Sequence, residues 1–363
     1  MSDDNRVQLA IGGAVYEGWK SVRVSLSLAR LSGTFELSVS DRFPGQPQRY
    51  AFRLNQRCTV SLRGQQVISG FLEEIAPSFD RSSHELSLRG RDATCDLVDC
   101  SIEGPPTQWR KQSLLRIAQD VCKPFGIPVR TEAASLGEPF DDARTNEGDT
   151  ASAFLVRLCK QRGVLPLTYG DGALALSKAG ARGRGGDLVL GDNLLRGSAA
   201  STSQERFSRY VVKGHGQRAG QPAEMLSEAE TKLFRDTYNK PSALAADSAV
   251  PRYRPKVILA EAKGKPEAYQ ALADWEAGVR AGQSRQADYT TQDWGPSAGA
   301  LWRINTLVTV RDDLLSTSGE WLVEAVAYSM DPQEGTRAEL KLVHPQAYLA
   351  MPAIAQAITG GFD

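Results

Sequence analysis

The sequence predicts an α+β, β-rich protein: two barrel-like β domains, a small α+β middle domain and a helical insertion in the second β domain. Three observations carry this. Runs with apolar/polar alternation crowd residues 7–90 and return after residue 187. Between them, residues 107–163 hold two apolar stripes at helical spacing. A glycine-rich junction, Ala179–Asp187, then separates the middle from the later strands. The expected domains are residues 1–100, 101–180 and 181–348, with the insertion at about 216–290 and a flexible tail at 349–363.

In the first domain Val22–Leu28, Phe35–Val39 and Glu85–Arg89 alternate with the period of a half-buried strand. Cys58–Leu62 and Gln66–Ser69 flank Arg63, Gly64 and Gln65, which fold them into a hairpin. Five or more short strands here suggest a small barrel or sandwich. Gly90 is expected to turn the chain sharply into a short helix that Leu97 and Val98 pin to the core. In the middle domain Leu114, Leu115, Ile117, Ala118, Val121 and Cys122 form a helical stripe, capped by Ser113 and stopped by Pro124. A second helix runs from its cap Thr150 through Phe154, Leu155, Leu158 and Cys159 to Gly163. Val164–Tyr169 and Ala173–Leu176 read as a hairpin through Gly170, Asp171 and Gly172.

Beyond the flexible junction, Asp187–Leu190, Arg206–Lys213 and Val257–Ala260 read as strands, with helices at Ala223–Phe234 and about Pro266–Arg285. Leu301–Val310, Trp321–Tyr328 and Arg337–Val343 supply a second barrel or sandwich. Two similar β units imply a duplication in fold, although no sequence repeat stands out.

Lys+Arg and Asp+Glu balance at 43 each, which counts against a dedicated nucleic-acid binder, since that task normally needs a basic excess. The five cysteines (Cys58, Cys95, Cys100, Cys122 and Cys159) contain no C-x-x-C pair, and Cys122 and Cys159 fall on apolar helix faces. An odd count without an apolar leader reads as reduced thiols in a cytoplasmic assembly environment. No run approaches the roughly 18 apolar residues of a membrane span.

For chemistry, the foremost candidates are Asp92, Asp96 and Asp99, whose i, i+4, i+7 spacing would put three carboxylates on one helix face. Such a face suits a divalent metal, but equally a helix start whose acids meet Arg89, Arg91 or the dipole. The structural reading is preferred. Glu73–Glu74 and Asp312–Asp313 are adjacent pairs, which point to opposite faces of a strand and do not converge on one atom. His84, His215 and His344 are scattered, with His215 expected in a turn between two glycines. Gly180–Gly186 lacks the Lys-Ser/Thr of a phosphate loop and reads as solvated. Tyr253, Trp275, Trp294, Trp302 and Trp321 divide between core and interface roles. No catalytic, cofactor or metal residue is assigned, and no enzyme is expected.

An ordered set of segments resembles the baseplate hub protein of Mu-type contractile-tailed phages. They are Gly18–Val22, Gly33–Leu37, Gly70–Glu73, Gly90–Cys100, Leu115–Gly126, Leu188–Leu195, Arg206–Gly214 and Arg252–Ile258, within a span of about residues 15–345. The resemblance implies a non-enzymatic homotrimer in the virion tail, assembled in the bacterial cytoplasm. Two barrel-like domains per chain would make a pseudo-six-fold ring that adapts a six-fold tail tube to a three-fold spike. Baseplate wedge proteins are further implied partners. DNA would pass through without sequence-specific binding, and the chain would not insert into a membrane. Alternatives are a hub-like part of a type VI secretion or tailocin spike, and a cell-wall hydrolase using Glu73 or Asp92. Type VI chains continue into an OB-fold and spike, so an end at Asp363 is read as favouring a phage or phage-derived particle.

Overall fold

Alternating burial resolves into strand pairing in the computed structural model, which describes residues 5–40, 52–81, 84–214, 243–260, 264–356 and 358–359. The helix expected at Ala223–Phe234 and the turn at His215 lie outside these residues. The first strands are β1 (Val7–Ile11), β2 (Ala14–Tyr16), β3 (Ser21–Ser27), β4 (Thr34–Ser40), β5 (Arg57–Leu62), β6 (Gln65–Phe79) and β7 (His84–Asp92). A short helix α1 (Cys95–Asp99) leads to β8 (Gln108–Gln112), α2 (Leu114–Cys122), β9 (Val129–Thr131), β10 (Phe140–Arg144), α3 (Ala151–Gln161), β11 (Leu165–Leu167) and β12 (Leu174–Ser177). Next come β13 (Arg184–Val189), β14 (Leu194–Ser201), β15 (Arg209–Lys213), β16 (Ala243–Ala246), β17 (Pro255–Leu259) and α4 (Pro266–Gln283). The chain then forms β18 (Arg285–Thr291), β19 (Leu307–Arg311), β20 (Gly319–Asp331), β21 (Gly335–Val343) and α5 (Ala353–Gln356).

The α+β, β-rich class holds, but the ladders do not close into barrels. One open sheet runs β14-β18-β21-β20-β3-β4-β7-β6-β5-β1-β2, with β13 joined to β20 through β19. That order contains the same motif twice. In each copy a long strand, β6 or β20, pairs first with the strand before it and then with the strand after it. The later strand carries a further antiparallel neighbour, β4 on β7 and β18 on β21. Beyond these lie β3 beside β4 and β14 beside β18. The spatial order β3-β4-β7-β6-β5-β1 thus matches β14-β18-β21-β20-β19-β13, and the chain order matches too. Only the last pair differs in sense, since β1 is antiparallel to β5 whereas β13 is parallel to β19.

Details repeat as well. Asn55 and Asn305 both take φ 63°, and each donates its N–H to the long strand, to the carbonyls of Leu72 and Val323. Asparagine tolerates this left-handed conformation better than most residues. One residue past those carbonyls each long strand has a β-bulge, and the extra residue is Glu73 in one copy and Glu324 in the other. A bulge bends a strand and lets it change partners. β20 uses the bend to leave β19 and pair through Ala325–Met330 with β3, which joins the two copies.

Two compact units emerge. The first holds Met1–Cys159, Val164–Ala200 and Gln286–Pro345. It contains the large sheet with its core, including Leu9, Leu37, Leu72, Leu88, Trp294, Trp302 and Tyr328. It also contains a second core built on α2 and α3, with Trp109 stacked on Phe154 at 5.3 Å between ring centroids. The expected caps are in place: Ser113 Oγ accepts the Arg116 N–H, and Thr150 Oγ1 accepts the Ala153 N–H at 3.2 Å. The antiparallel pairing of β8 with β10, across the intervening α2 and β9, was not foreseen.

The second unit is Lys160–Gly163, Ser201–Arg285 and Gln346–Asp363. Here β16-β15-β17 form a sheet whose buried residues Tyr210, Val212, Ala243 and Ala245 pack with Leu272 and Ala273 of α4. The tail, expected to be flexible, contributes Met351, Ala355 and Ile358 to that core. Their small and apolar side chains are buried to at least nine-tenths, so the described part of the tail is a packed element.

The junction at Ala179–Asp187 is also less free than its composition suggests. From Arg184 it is strand β13, paired parallel to β19. Buried Asn305 anchors the preceding turn: its Oδ1 accepts the Gly180 N–H at 2.8 Å, and its Nδ2 donates to the Lys178 carbonyl at 3.0 Å and to Tyr169 and Ser177 at 3.2 Å. Asn305→Ala takes the acceptor from the half-buried Gly180 N–H and loses the residue type suited to that φ. The expected cost is about 3 kcal/mol, seen as an earlier urea midpoint.

Candidate functional site

The most extensive feature of the first unit is the solvent face of eight consecutive strands, β14-β18-β21-β20-β3-β4-β7-β6. Period-2 alternation builds it. On β3, Val22, Val24 and Leu26 are buried while Ser21, Arg23, Ser25 and Ser27 face the other way. On β7, Leu86 and Leu88 are buried opposite Glu85, Ser87, Arg89 and Arg91. Register then lines up the outward residues: Arg23 lies beside Glu36 and Ser329, and Glu36 beside Arg89. Further along, Ala325 lies beside Lys341, and Lys341 beside Asp288.

Most charges on this face are paired, although among the described residues Arg30, Arg196 and Asp288 along its groove form no ion pair. Arg23 meets Glu339 at 2.7 Å, and Arg89 meets Glu36 at 2.8 Å and Glu74 at 3.2 Å. Lys341 meets Glu324 at 2.7 Å. At the edge, Arg91 holds both Glu73 and Asp99 at 2.6 Å. Hydrogen bonds to those two carboxylates push the Arg91 guanidinium further up, and the bond from Arg91 holds the Asp99 carboxyl below its ordinary range. The half-exposed pairs among these, such as Arg23–Glu339 and Arg89–Glu36, contribute little stability. Their effect is electrostatic, because a phosphate approaching the face meets arginines already neutralised by carboxylates. Between β14 and β3 the face dips into an open groove of about 590 Å³, lined by Ser25, Ser27, Thr34, Ser198, Ala325 and Ala327 among others. Arg30, Arg196, Asp288, Glu339 and Lys341 also line it, so the groove is open and charged where a small-molecule pocket is enclosed.

The sequence-predicted carboxylates do not form one face. Asp92 is the last residue of β7, and α1 starts only at Cys95, so the i, i+4, i+7 geometry does not exist. Asp92 is fully buried and accepts the N–H groups of Gly33 and Thr94 at 2.9 Å, with the hydroxyls of Thr94 and Thr168 also donating to it. Burial pushes its carboxyl up, against the lowering effect of these donors. Asp99 points instead to Arg91. Gly90 makes no turn: it sits inside β7, where a Cβ would stand 2.1 Å from the Phe71 carbonyl oxygen and 2.6 Å from the Phe35 ring. Leu97 pins α1 as expected, whereas Val98 is exposed.

The other candidates also have structural partners. Glu73 and Glu74 serve Arg91 and Arg89. Buried Asp312 accepts the Tyr289 hydroxyl at 2.7 Å, and Asp313 accepts the Ser318 hydroxyl at 2.8 Å. His84 stacks on Phe79, and His344 is half-buried after β21. Trp294, Trp302 and Trp321 are core; Trp275 donates to the Leu349 carbonyl at 2.8 Å, and Tyr253 is exposed. Cys58, Cys95, Cys122 and Cys159 are buried free thiols, and Cys100 is exposed. Among the described residues no group of three His, Cys, Asp or Glu side chains could hold a metal ion. No described helix is long and apolar enough to cross a membrane.

Sequence reasoning expected a duplication in fold but found no repeat in the residues; its trace is legible once the strands are superposed. Leu54-Asn55 and Thr59-Val60 in one copy stand where Ile304-Asn305 and Thr309-Val310 stand in the other.

Three family models match successive parts of this chain. Residues 6–92 match the N-terminal family of the Mu phage baseplate assembly protein GpP-like type, and residues 94–178 the second domain of baseplate hub protein gp44-like proteins. Residues 265–351 match the fourth domain of Mu phage baseplate assembly protein GpP. The baseplate hub protein gp44 of Escherichia phage Mu is 30% identical over 348 residues, which cover 95% of this chain and 89% of the phage protein. Among solved structures, the 43 kDa tail protein of prophage MuSo2 from Shewanella oneidensis shares 34% identity with a TM-score of 0.79, over 96% of this chain and 100% of that one. A tail protein from Neisseria meningitidis reaches a TM-score of 0.75 at 18% identity, over 98% of each chain, and so shares the fold. A type VI secretion component from E. coli shares it more distantly, at 10% identity and a TM-score of 0.55, over 95% of this chain and 80% of that one. On the identity and coverage of the Mu protein, the chain belongs to the baseplate hub family of Mu-type phages.

Proposed function

We propose that this chain is the structural hub of a contractile-tail baseplate, a homotrimeric ring that adapts a six-fold tail tube to a three-fold spike. Each chain would supply two strand modules to a pseudo-six-fold ring, and the polar face would line the channel through which DNA leaves. The observation that carries this reading is the duplicated strand module, whose two copies share one continuous polar face. Residues 1–100 and 181–348 would be the modules, with 101–180 between them and about 216–290 inserted. Tube, spike and wedge proteins would be its partners in the virion tail.

The width of the face favours three copies. Eight strands at about 4.8 Å spacing span roughly 38 Å of arc, before any widening by strand tilt. Three copies close to a backbone diameter of roughly 37 Å, whereas two leave only about 24 Å, too narrow for a duplex once side chains intrude. A lining with balanced charge lets DNA slide, where a basic one would hold it by its phosphates. The reading assigns no catalytic, metal or cofactor residue.

Light scattering on the purified protein should give about three times the 39.4 kDa chain mass. A monomer at all concentrations, even with tube and spike proteins present, would sink the reading. Peptidoglycan turnover abolished by Glu73→Gln or Asp92→Asn would replace it with a hydrolase.

A further inference from the structure

The two modules are joined inside the chain by one ladder: β20 beyond its bulge pairs with β3, placing Ala327 opposite Ser25 and Met330 opposite Val22. Each partner has a counterpart in the other module. The counterpart of β20 is β6, and the bulges align Glu74–Phe79 with Ala325–Met330. β5 pairs with β6 only as far as Phe71, and no described strand lies on that side of Glu74–Phe79. The counterpart of β3 is β14, at the end of the sheet with no described strand beyond it. The Thr202 N–H donates to the Ser284 carbonyl, so the end of β14 lies by the start of β18 and the two are antiparallel, as β3 and β4 are. A Cβ on Gly197 would touch the Tyr289 ring, and Tyr289 occupies the position of Leu37, so Gly197 takes the place of Val22.

We infer that the second half of β6 pairs with β14 of another copy of this chain, repeating between chains the ladder that β20 and β3 make within one. The inference rests on the trimeric hub reading and names the surface that closes it. A head-to-tail contact of this kind closes a ring when the rotation per copy permits. Transferred register puts Ala76 opposite Ala200 of the next copy, Ser78 opposite Ser198 and Phe79 opposite Gly197.

Two features fit such a partner. Phe79 is 81% exposed, while its counterpart Met330 packs half-buried against the core. Facing it across the joint would be Gly197, which adds no side chain of its own beside the Tyr289 ring. β14 itself is exposed along nearly its whole length and ends in small residues, Gly197 to Ser201, which admit a neighbouring strand closely. One difference weakens the copy relative to the original: Pro77 stands where Tyr328 stands and has no N–H, so the joint has at most one donor fewer. A proline also discourages unrelated strands from adding to an open edge.

Paired cysteines test the register. In full-length protein carrying Cys100→Ser, Ala76→Cys with Ala200→Cys should oxidise to covalent species ending at three copies on a non-reducing gel. Either single variant should not. Cross-strand neighbours lie within the Cα separation a disulfide needs. Ser78→Cys with Ser198→Cys serves as a second pair in the same register. Phe79→Asp should raise the dissociation constant of the ring at least about tenfold, with the melting temperature of the chain unchanged. A particle of trimer mass in which neither cysteine pair crosslinks overturns the inference and leaves the hub reading standing. A monomer under all conditions overturns both.

Discussion

Gly90→Val is expected to remove folded protein from the soluble fraction. Gly90 lies in the middle of β7 with the Phe71 carbonyl oxygen 2.1 Å, and the Phe35 ring 2.6 Å, from where a Cβ would be. Neither neighbour can yield cheaply. The carbonyl belongs to β6, paired with β7 over nine registered positions, and Phe35 is 2% exposed in the main core. Overpacking a core costs about 1–3 kcal/mol when side chains can shift, and more where backbone must. Two further methyl groups on the added carbon worsen the clash. Gly90→Ala should show the same effect more weakly, because the first carbon alone is in contact. Solubility after expression, followed by circular dichroism of any recovered protein, measures this; a Gly90→Val protein with native melting would refute it.

Asp92→Ala is the second large effect, with an expected loss of about 3 kcal/mol or more. The substitution leaves the Gly33 and Thr94 N–H groups buried without their acceptor and removes a partner from two threonine hydroxyls. Asp92→Asn should cost less, since one carbonyl oxygen survives, but its amide nitrogen then faces a donor. The pH dependence separates the two variants further. Burial raises the Asp92 carboxyl, so the native state keeps its proton to higher pH than the unfolded chain does. Stability from this group is therefore fully present below the unfolded pKa of about 3.9 and is lost as pH rises through the folded value. The stability difference between the wild-type chain and Asp92→Asn should be greatest in acid and shrink as pH rises. A difference that grows with pH would show that the four donors outweigh burial. Metal content should be the same in both proteins.

Much of the fold was legible in the sequence where one local rule decided the outcome. Alternation located β3, β4 and β7, and Ser113 and Thr150 marked the starts of α2 and α3, because caps and period act within a few residues. Gly90 misled because a glycine after a strand usually marks a turn, whereas here its requirement comes from Phe35, distant in sequence and adjacent in the sheet. The aspartates misled for a related reason. Spacing defines a face only if one helix spans all three, and strand pairing of Asp92 with Gly70 prevents that. The tail was misread because Met351, Ala355 and Ile358 show their apolar role only when α4 supplies the other side of the core.

The candidate site was the least legible part. It has no residue type of its own, being made of serines, alanines and ordinary ion pairs whose common property is that they share one side of one sheet. Register creates that property, and register depends on which strands meet. The duplication that organises it survives in the sequence as little more than two left-handed asparagines, a Thr-Val pair and a bulged glutamate per module.

The β20–β3 ladder also bears on how readily such a ring forms. In a ring of three chains with six like joints, half would be made when each chain folds. Their strands are tethered at a high effective concentration, so these joints do not depend on how much protein the cell has produced. Only the other half would carry the entropic cost of bringing separate molecules together. A six-chain ring of single modules would meet that cost at every joint and would come apart on dilution far sooner. Covalent linkage of the modules would therefore make such a ring less sensitive to supply.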